Sequence, residues 1–211
     1  MTSIENIFVC IVAPLLVTML CMDKKHRHVF LFSIAGMGAC LLSAYVNTFF
    51  AGLYNANLIN ATTQIAPVVE EIIKLLPLLF FLLVFEPEPI KINTAVLIVA
   101  VSFATFENIC YLIQNGAAQL SFLLFRGFGT GAMHIVCGAI VGYGLMFVWK
   151  YEWIKIAGTF GLLCASITFH AVYNLLIAYG GFAQYIAYVL PIFTVMVGLG
   201  AAKLLKIKPQ Q

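Results

Sequence analysis

Charge is what this sequence has least of. Of 211 residues only 9% are Asp, Glu, Lys or Arg, against 63% hydrophobic, and the mean hydropathy is +1.04. A soluble domain carries about 25% charged residues, so this balance excludes one and points to an all-α polytopic membrane protein. The six cysteines (Cys10, Cys21, Cys40, Cys110, Cys137, Cys164) include no Cys-x-x-Cys pair, so neither a disulfide framework nor a zinc knuckle is indicated. They read as small apolar packing residues. No connection between apolar runs is long enough for a separate folded domain, and no internal repeat is visible, so residues 1–211 read as a single membrane domain. The first residues lack the basic stretch and cleavage site of a secretory signal, and the first apolar run reads as a true span. The net charge of +3 is no nucleic-acid signal, because the basic residues sort into short membrane-flanking loops.

What is present is a series of apolar runs of spanning length. They predict seven helices over 5–22, 29–51, 67–85, 93–114, 127–149, 155–178 and 182–204. With that count Lys24, Lys25 and Arg27, then Lys91, then Lys150 and Lys155, then Lys203, Lys206 and Lys208 all fall on one side, which should be cytoplasmic. The N-terminus is then outside and the C-terminus inside. The stretch 52–66 is expected as a polar outer connection, Glu86-Pro-Glu-Pro89 as a stiff inner turn, and 116–126 as a short interfacial or re-entrant helix over the outer mouth.

The scarce charges are concentrated. Pro67-Val-Val-Glu-Glu-Ile-Ile-Lys74 places Glu70, Glu71 and Lys74 inside a span that would be too short if it began after Lys74. At about 100° per residue Glu70 and Lys74 share a helix face, and Glu71 is also within reach of Lys74. Three ionisable groups on part of one helix imply a lined cavity, not lipid exposure. Three further spans carry comparable groups: Glu107, Asn108 and Tyr111 in the fourth, His134 in the fifth, His170 and Asn174 in the sixth. Counted from the expected outer ends at about 1.5 Å per residue, all lie within roughly 6–12 Å of the outer edge. Arg126 is the basic residue left near that edge. Together these side chains supply what water activation and oxyanion stabilisation require. Gly127 with Gly131 and Gly138 with Gly142, each pair at four-residue spacing, would let the fifth helix approach its neighbours closely.

Glu70-Glu71-x-x-Lys74, Phe103-x-x-x-Glu107-Asn-x-x-Tyr111, the Gly-x-x-His134 region and His170-Ala-Val-Tyr-Asn174 resemble, in that order, the motifs of the PrsW family of intramembrane proteases, within a wider group that includes CAAX prenyl proteases and bacteriocin-immunity proteins. Lys74 lies one residue earlier than the arginine of the CAAX-type pattern, and Glu107 stands where that pattern has histidine; both departures favour the PrsW branch. The motif-bearing core is 67–178.

The resemblance implies a multi-pass protease of the bacterial plasma membrane that cuts a single-pass membrane-protein substrate of the anti-sigma-factor class near the outer face. It implies that Glu70 or Glu71 activates the attacking water, that Glu107 and His134 line the site, and that His170 with Asn174 steadies the oxyanion, with Lys74, Asn108, Tyr111 and Arg126 in support. It also implies a metalloprotease. Zinc could be held by His134, His170 and a glutamate, Glu107 or Glu71, although a glutamate-activated water without metal is equally compatible with these side chains. Two other classes fit the composition: a proton- or cation-coupled transporter or channel, which helices broken at Pro67 and Pro77 would suit, and a catalytically silent scaffold. Oligomeric state is not fixed by the sequence.

Overall fold

A computed structural model describes residues 4–85, 89–116 and 120–204. Among these there is no strand. The helices are α1 (Ile4–Cys21), α2 (Lys24–Leu53), a single turn α3 (Leu58–Asn60), a π-helical turn (Ala61–Ile65), α4 (Ala66–Phe85), α5 (Pro89–Asn115), α6 (Leu120–Val148), α7 (Lys155–Tyr179) and α8 (Gly181–Leu204). All the long helices except α4 are apolar and long enough to cross a membrane. α4 has 20 residues and is apolar apart from Glu70, Glu71 and Lys74, so it completes a bundle of about seven spans.

Three expectations change. Residues 120–126 are not a separate re-entrant helix but the first two turns of α6, so His134 lies 14 residues, or roughly 21 Å, from that helix's start. The outer connection is not wholly loop: Asn57 Oδ1 accepts from Asn60 N at 2.8 Å, capping α3, which runs through the π turn into α4. Pro67 lacks an N–H for the carbonyl four residues back, a local reason for wider backbone spacing just before it. Pro77 lies inside α4 without ending it, so that span is not broken there. The turn 86–88, residues 117–119, and Lys206 and Lys208 lie outside the described residues.

In lipid the apolar surface of a helix gains little from leaving its surroundings, so association depends on close packing and polar contacts. α5 is held between α2 and α6. A Cβ on Gly36 of α2 would run into the Val99 carbonyl, and one on Gly138 of α6 would lie 2.7 Å from Ala100 Cβ. α4 packs on α2, α5 and α7; α1 lies outside α2, and α8 covers α6 and α7. Three apolar clusters result, around Leu78 and Leu145, around Phe103 and Phe106, and around Met133 and Tyr173. The buried polar residues Glu71, Lys74, His134, Ser166 and His170 lie where these clusters meet.

The contact at Gly36 makes a direct test of this packing. Gly36→Ala should destabilise the bundle by about 1–3 kcal/mol through overpacking against backbone, read as a lower denaturation midpoint in detergent. Gly127→Ala, where a Cβ meets nothing within 4 Å, should leave the midpoint unchanged or raise it slightly.

Candidate active site

The two adjacent glutamates of α4 point to different neighbours because successive helical residues are turned about 100° apart. Glu71 faces α7. Its Oε1 accepts from Lys74 Nζ at 2.5 Å and from His170 Nδ1 at 2.8 Å, and its Oε2 accepts from Ser166 Oγ at 2.8 Å. Glu70 faces α2, where Asn47 Nδ2 donates to its Oε1 at 3.2 Å, and its Oε2 lies 3.8 Å from His170 Nε2. Lys74 therefore pairs with Glu71, one turn before it, and not with Glu70 on the expected shared face.

Lys74 continues the network into α6 and α5. Its Nζ lies 3.0 Å from His134 Nδ1 and 4.8 Å from the centre of the Phe103 ring. An ammonium has only donors, so Nδ1 must accept, and the imidazole proton sits on Nε2. That nitrogen donates to Glu107 Oε2 at 2.6 Å. Arg126 Nη2 donates to Glu107 Oε1 at 3.1 Å, and its guanidinium stacks 3.5 Å over the Tyr111 ring. At His170 the order is reversed: with Glu71 accepting at Nδ1, a neutral ring carries its lone pair on Nε2, toward Glu70.

Burial is graded. His134, His170, Glu71 and Lys74 are enclosed, whereas the Glu70 and Glu107 side chains keep 13% and 29% of their exposure. Both line a cleft of about 190 Å³, together with Asn47, Phe103, Tyr111 and Arg126. Glu70, His134 and His170 each offer a ligand atom within 4.8 Å of the others. This donor set suits zinc, and Glu71 behind His170 is the kind of carboxylate that orients a ligating imidazole. The carboxylate in this triad is Glu70, whereas the sequence reading had offered Glu107 or Glu71. Both nitrogens of His134 are already engaged by Lys74 and Glu107, so its ligation requires one of those bonds to be exchanged.

Glu70, Glu71, Lys74, Glu107, His134, His170 and Arg126 are thus brought together, with Tyr111 beside Arg126. Asn108 is not in the cleft; it lines grooves on the outward seam of α5 and α6. Asn174 gives its amide Nδ2 to the Thr62 carbonyl at 2.9 Å, pinning α7 to the π turn. One N–H of the amide expected to face an oxyanion is in this arrangement on backbone. Asn47 and Ser166 were missed. Ser166 is four residues before His170, a spacing that places both on one face; Asn47 had only its polarity inside an apolar run as a signal.

Breaking a buried ion pair from one side leaves an uncompensated charge. Lys74→Met should cost roughly 3–5 kcal/mol in denaturation experiments in micelles. Glu71→Gln combined with Lys74→Met should recover most of that loss, whereas two additive losses would show that the pair is not coupled.

A model of the family described as "PrsW family intramembrane metalloprotease" matches residues 24–199. Neither a curated protein nor a solved structure matches the chain. With most of its length covered, including every helix that contributes to the network, the chain belongs to the PrsW family of intramembrane metalloproteases.

Proposed function

We propose that this membrane protease hydrolyses a peptide bond of a single-pass membrane protein in the cleft between α2 and α5, with Glu70 as the base that takes the proton of the attacking water. The observation that carries this reading is the division of labour between the paired glutamates. Glu71 is saturated by Lys74, His170 and Ser166, whereas Glu70 lines the cleft and faces the Nε2 of His170 across 3.8 Å. Two acceptors at that separation can be spanned by one water donating to both, or by one cation.

A zinc ion held by the imidazoles of His134 and His170 beside Glu70 would, when bound, acidify a water and polarise the scissile carbonyl, with Glu70 left as the base. The chain's own groups do the rest. Asn47 fixes one oxygen of Glu70, Glu71 fixes the ring of His170, and Glu70 can pass the proton it accepts to the leaving amine. The guanidinium of Arg126, a wall of the cleft, and the Nε2–H of His134, both now on Glu107, can serve as donors for charge developing on the carbonyl oxygen.

Alternation of the spans puts the basic residues at the α1–α2, α4–α5 and α6–α7 ends on one side, which supports a cleft opening toward the other, outer side of a bacterial plasma membrane. On the motif resemblance alone, the substrate is taken to be a signalling protein of the anti-sigma-factor class, cut outside.

The reading is tested with purified protein in proteoliposomes and a tagged single-pass substrate. Glu70→Gln should lower cleavage by about 10²-fold or more while keeping the denaturation midpoint of the parent. His170→Ala should lose both cleavage and bound metal, measured by elemental analysis. Full cleavage by Glu70→Gln, Glu71→Gln, Glu107→Gln and His170→Ala alike would remove the proposed site.

A further inference from the structure

The cleft that holds Glu70 has two kinds of wall. Four of its polar groups, Asn47, Glu70, Glu107 and Arg126, already belong to the proteolytic reading. The apolar part does not: Leu41 and Ala44 of α2, Phe106 of α5, and Ile4 from the first turn of α1. Ile4 also comes from a helix that precedes residues 24–199, the stretch the family model matches, so this piece of wall stands outside the part of the chain that carries the shared motifs.

The pattern of α1 puts Ile4 there. Ile4, Ile7, Phe8 and Ile11 recur at three- and four-residue spacing and pack as one stripe on the apolar cluster around Phe103 and Phe106. Phe8 meets the Phe106 ring edge-on, with centroids 5.8 Å apart and planes at 85°. At the other end of α1, Arg27 donates from Nε to the Met22 carbonyl at 2.9 Å and from Nη2 to the Leu20 carbonyl at 3.4 Å. These bonds tie the last turn of α1 to the start of α2. With one end tied and the stripe packed, Ile4 is held at the cleft, whereas Val9 on another face of α1 is 59% exposed.

A peptide whose carbonyl lies beside Glu70 must place an adjoining side chain in the same cleft. A charged side chain reaches Arg126 or Glu107 only by replacing the ion pair they already make with each other. An apolar one meets Ile4, Leu41, Ala44 and Phe106 and disturbs no hydrogen bond. An apolar cavity of roughly 150 Å³ accepts benzene, so a cleft of about 190 Å³ has room for an aliphatic side chain beside the attacking water.

We infer that Ile4 of α1 is a specificity-determining residue: with Leu41, Ala44 and Phe106 it forms an apolar subsite that takes an aliphatic substrate side chain next to the scissile bond. This rests on the proteolytic reading above and adds to it the chemistry of the residue at which the chain is cut. Ile4 sets the size of the subsite, and the lack of an unpaired counter-charge in its wall excludes acidic side chains.

The test uses protein in proteoliposomes and single-pass reporters that carry Ala, Leu, Phe or Asp at the residues flanking the mapped scissile bond. The parent should cleave the Leu reporter with kcat/KM about tenfold or more above the Asp reporter. Ile4→Ala should move the Leu-to-Phe ratio of kcat/KM toward Phe by about tenfold, and Ile4→Trp should move the Ala-to-Leu ratio toward Ala by a similar factor, the scale on which small changes of size act in an apolar pocket. Val9→Ala should leave both ratios unchanged; ratios do not depend on how much of a variant is folded. Ratios indifferent to Ile4, or moved equally by Val9→Ala, overturn the subsite. A second measurement needs no turnover. Glu70→Gln protein is irradiated with reporters that carry photo-leucine at successive positions in the outer half of the span. Cross-links from one such position to residues 4–8 of α1 are expected, and cross-links that never reach α1 overturn the subsite. Cleavage with ratios indifferent to Ile4 keeps the protease and removes the subsite; cross-linking to α1 without any cleavage by the parent keeps the subsite and removes the protease.

Discussion

An ammonium group buried among apolar helices must have acceptors around it, and the site is arranged about that of Lys74. Glu71 supplies the charge that neutralises it and His134 a second acceptor, with the face of Phe103 close by. The consequences travel outward by hydrogen-bond direction alone. Because Lys74 can only donate, His134 presents its other nitrogen as a donor to Glu107, which Arg126 holds from the far side. Because Glu71 accepts from His170 Nδ1, that ring, when neutral, turns a lone pair toward Glu70. One cation on α4 thus sets the donor and acceptor pattern on α5, α6 and α7. A buried ion pair is weak grounds for stability, but a network in which each member has one compatible arrangement is a means of specifying how helices are rotated against one another.

That specification explains why two adjacent carboxylates are useful. Glu71, turned toward α7, is structural in its bonding and almost fully enclosed. Glu70, turned toward α2, keeps an edge in the cleft, steadied by Asn47. A single glutamate could not both neutralise Lys74 and remain available to a water. The family is one of metalloproteases, and Glu70, His134 and His170 form a group at this edge that could hold an ion.

The spans and the ionisable residues could be read from sequence because each leaves a local mark: an apolar run of spanning length, or a charge inside one. The partner of each charge could not. Lys74 has Glu70 and Glu71 both within helical reach, and which of them it meets depends on the partners that α2 and α7 offer the two carboxylates, which no spacing along α4 reveals. The continuation of α6 back to Leu120 escaped because Gln119, Ser121 and Arg126 made an apolar span appear to begin later, at Gly127. Asn174 was assigned to chemistry from its place beside His170, but its neighbour across the bundle is the π turn, whose free carbonyl at Thr62 takes its amide. The glycine series was legible as a packing surface, and only tertiary structure divides it into a closed half at Gly138 and Gly142 and an open half at Gly127 and Gly131.

The central claim is the directional network fixed by Lys74, and nitrogen chemical shifts of the imidazoles in histidine-labelled protein in bilayers test it most directly, with signals assigned by substituting His26, His28, His134 and His170 in turn. The account predicts opposite neutral tautomers at the two buried rings, protonated on Nε2 at His134 and on Nδ1 at His170, in the metal-free protein. The same tautomer at both, or rings that exchange with water as freely as His26 and His28, would contradict it.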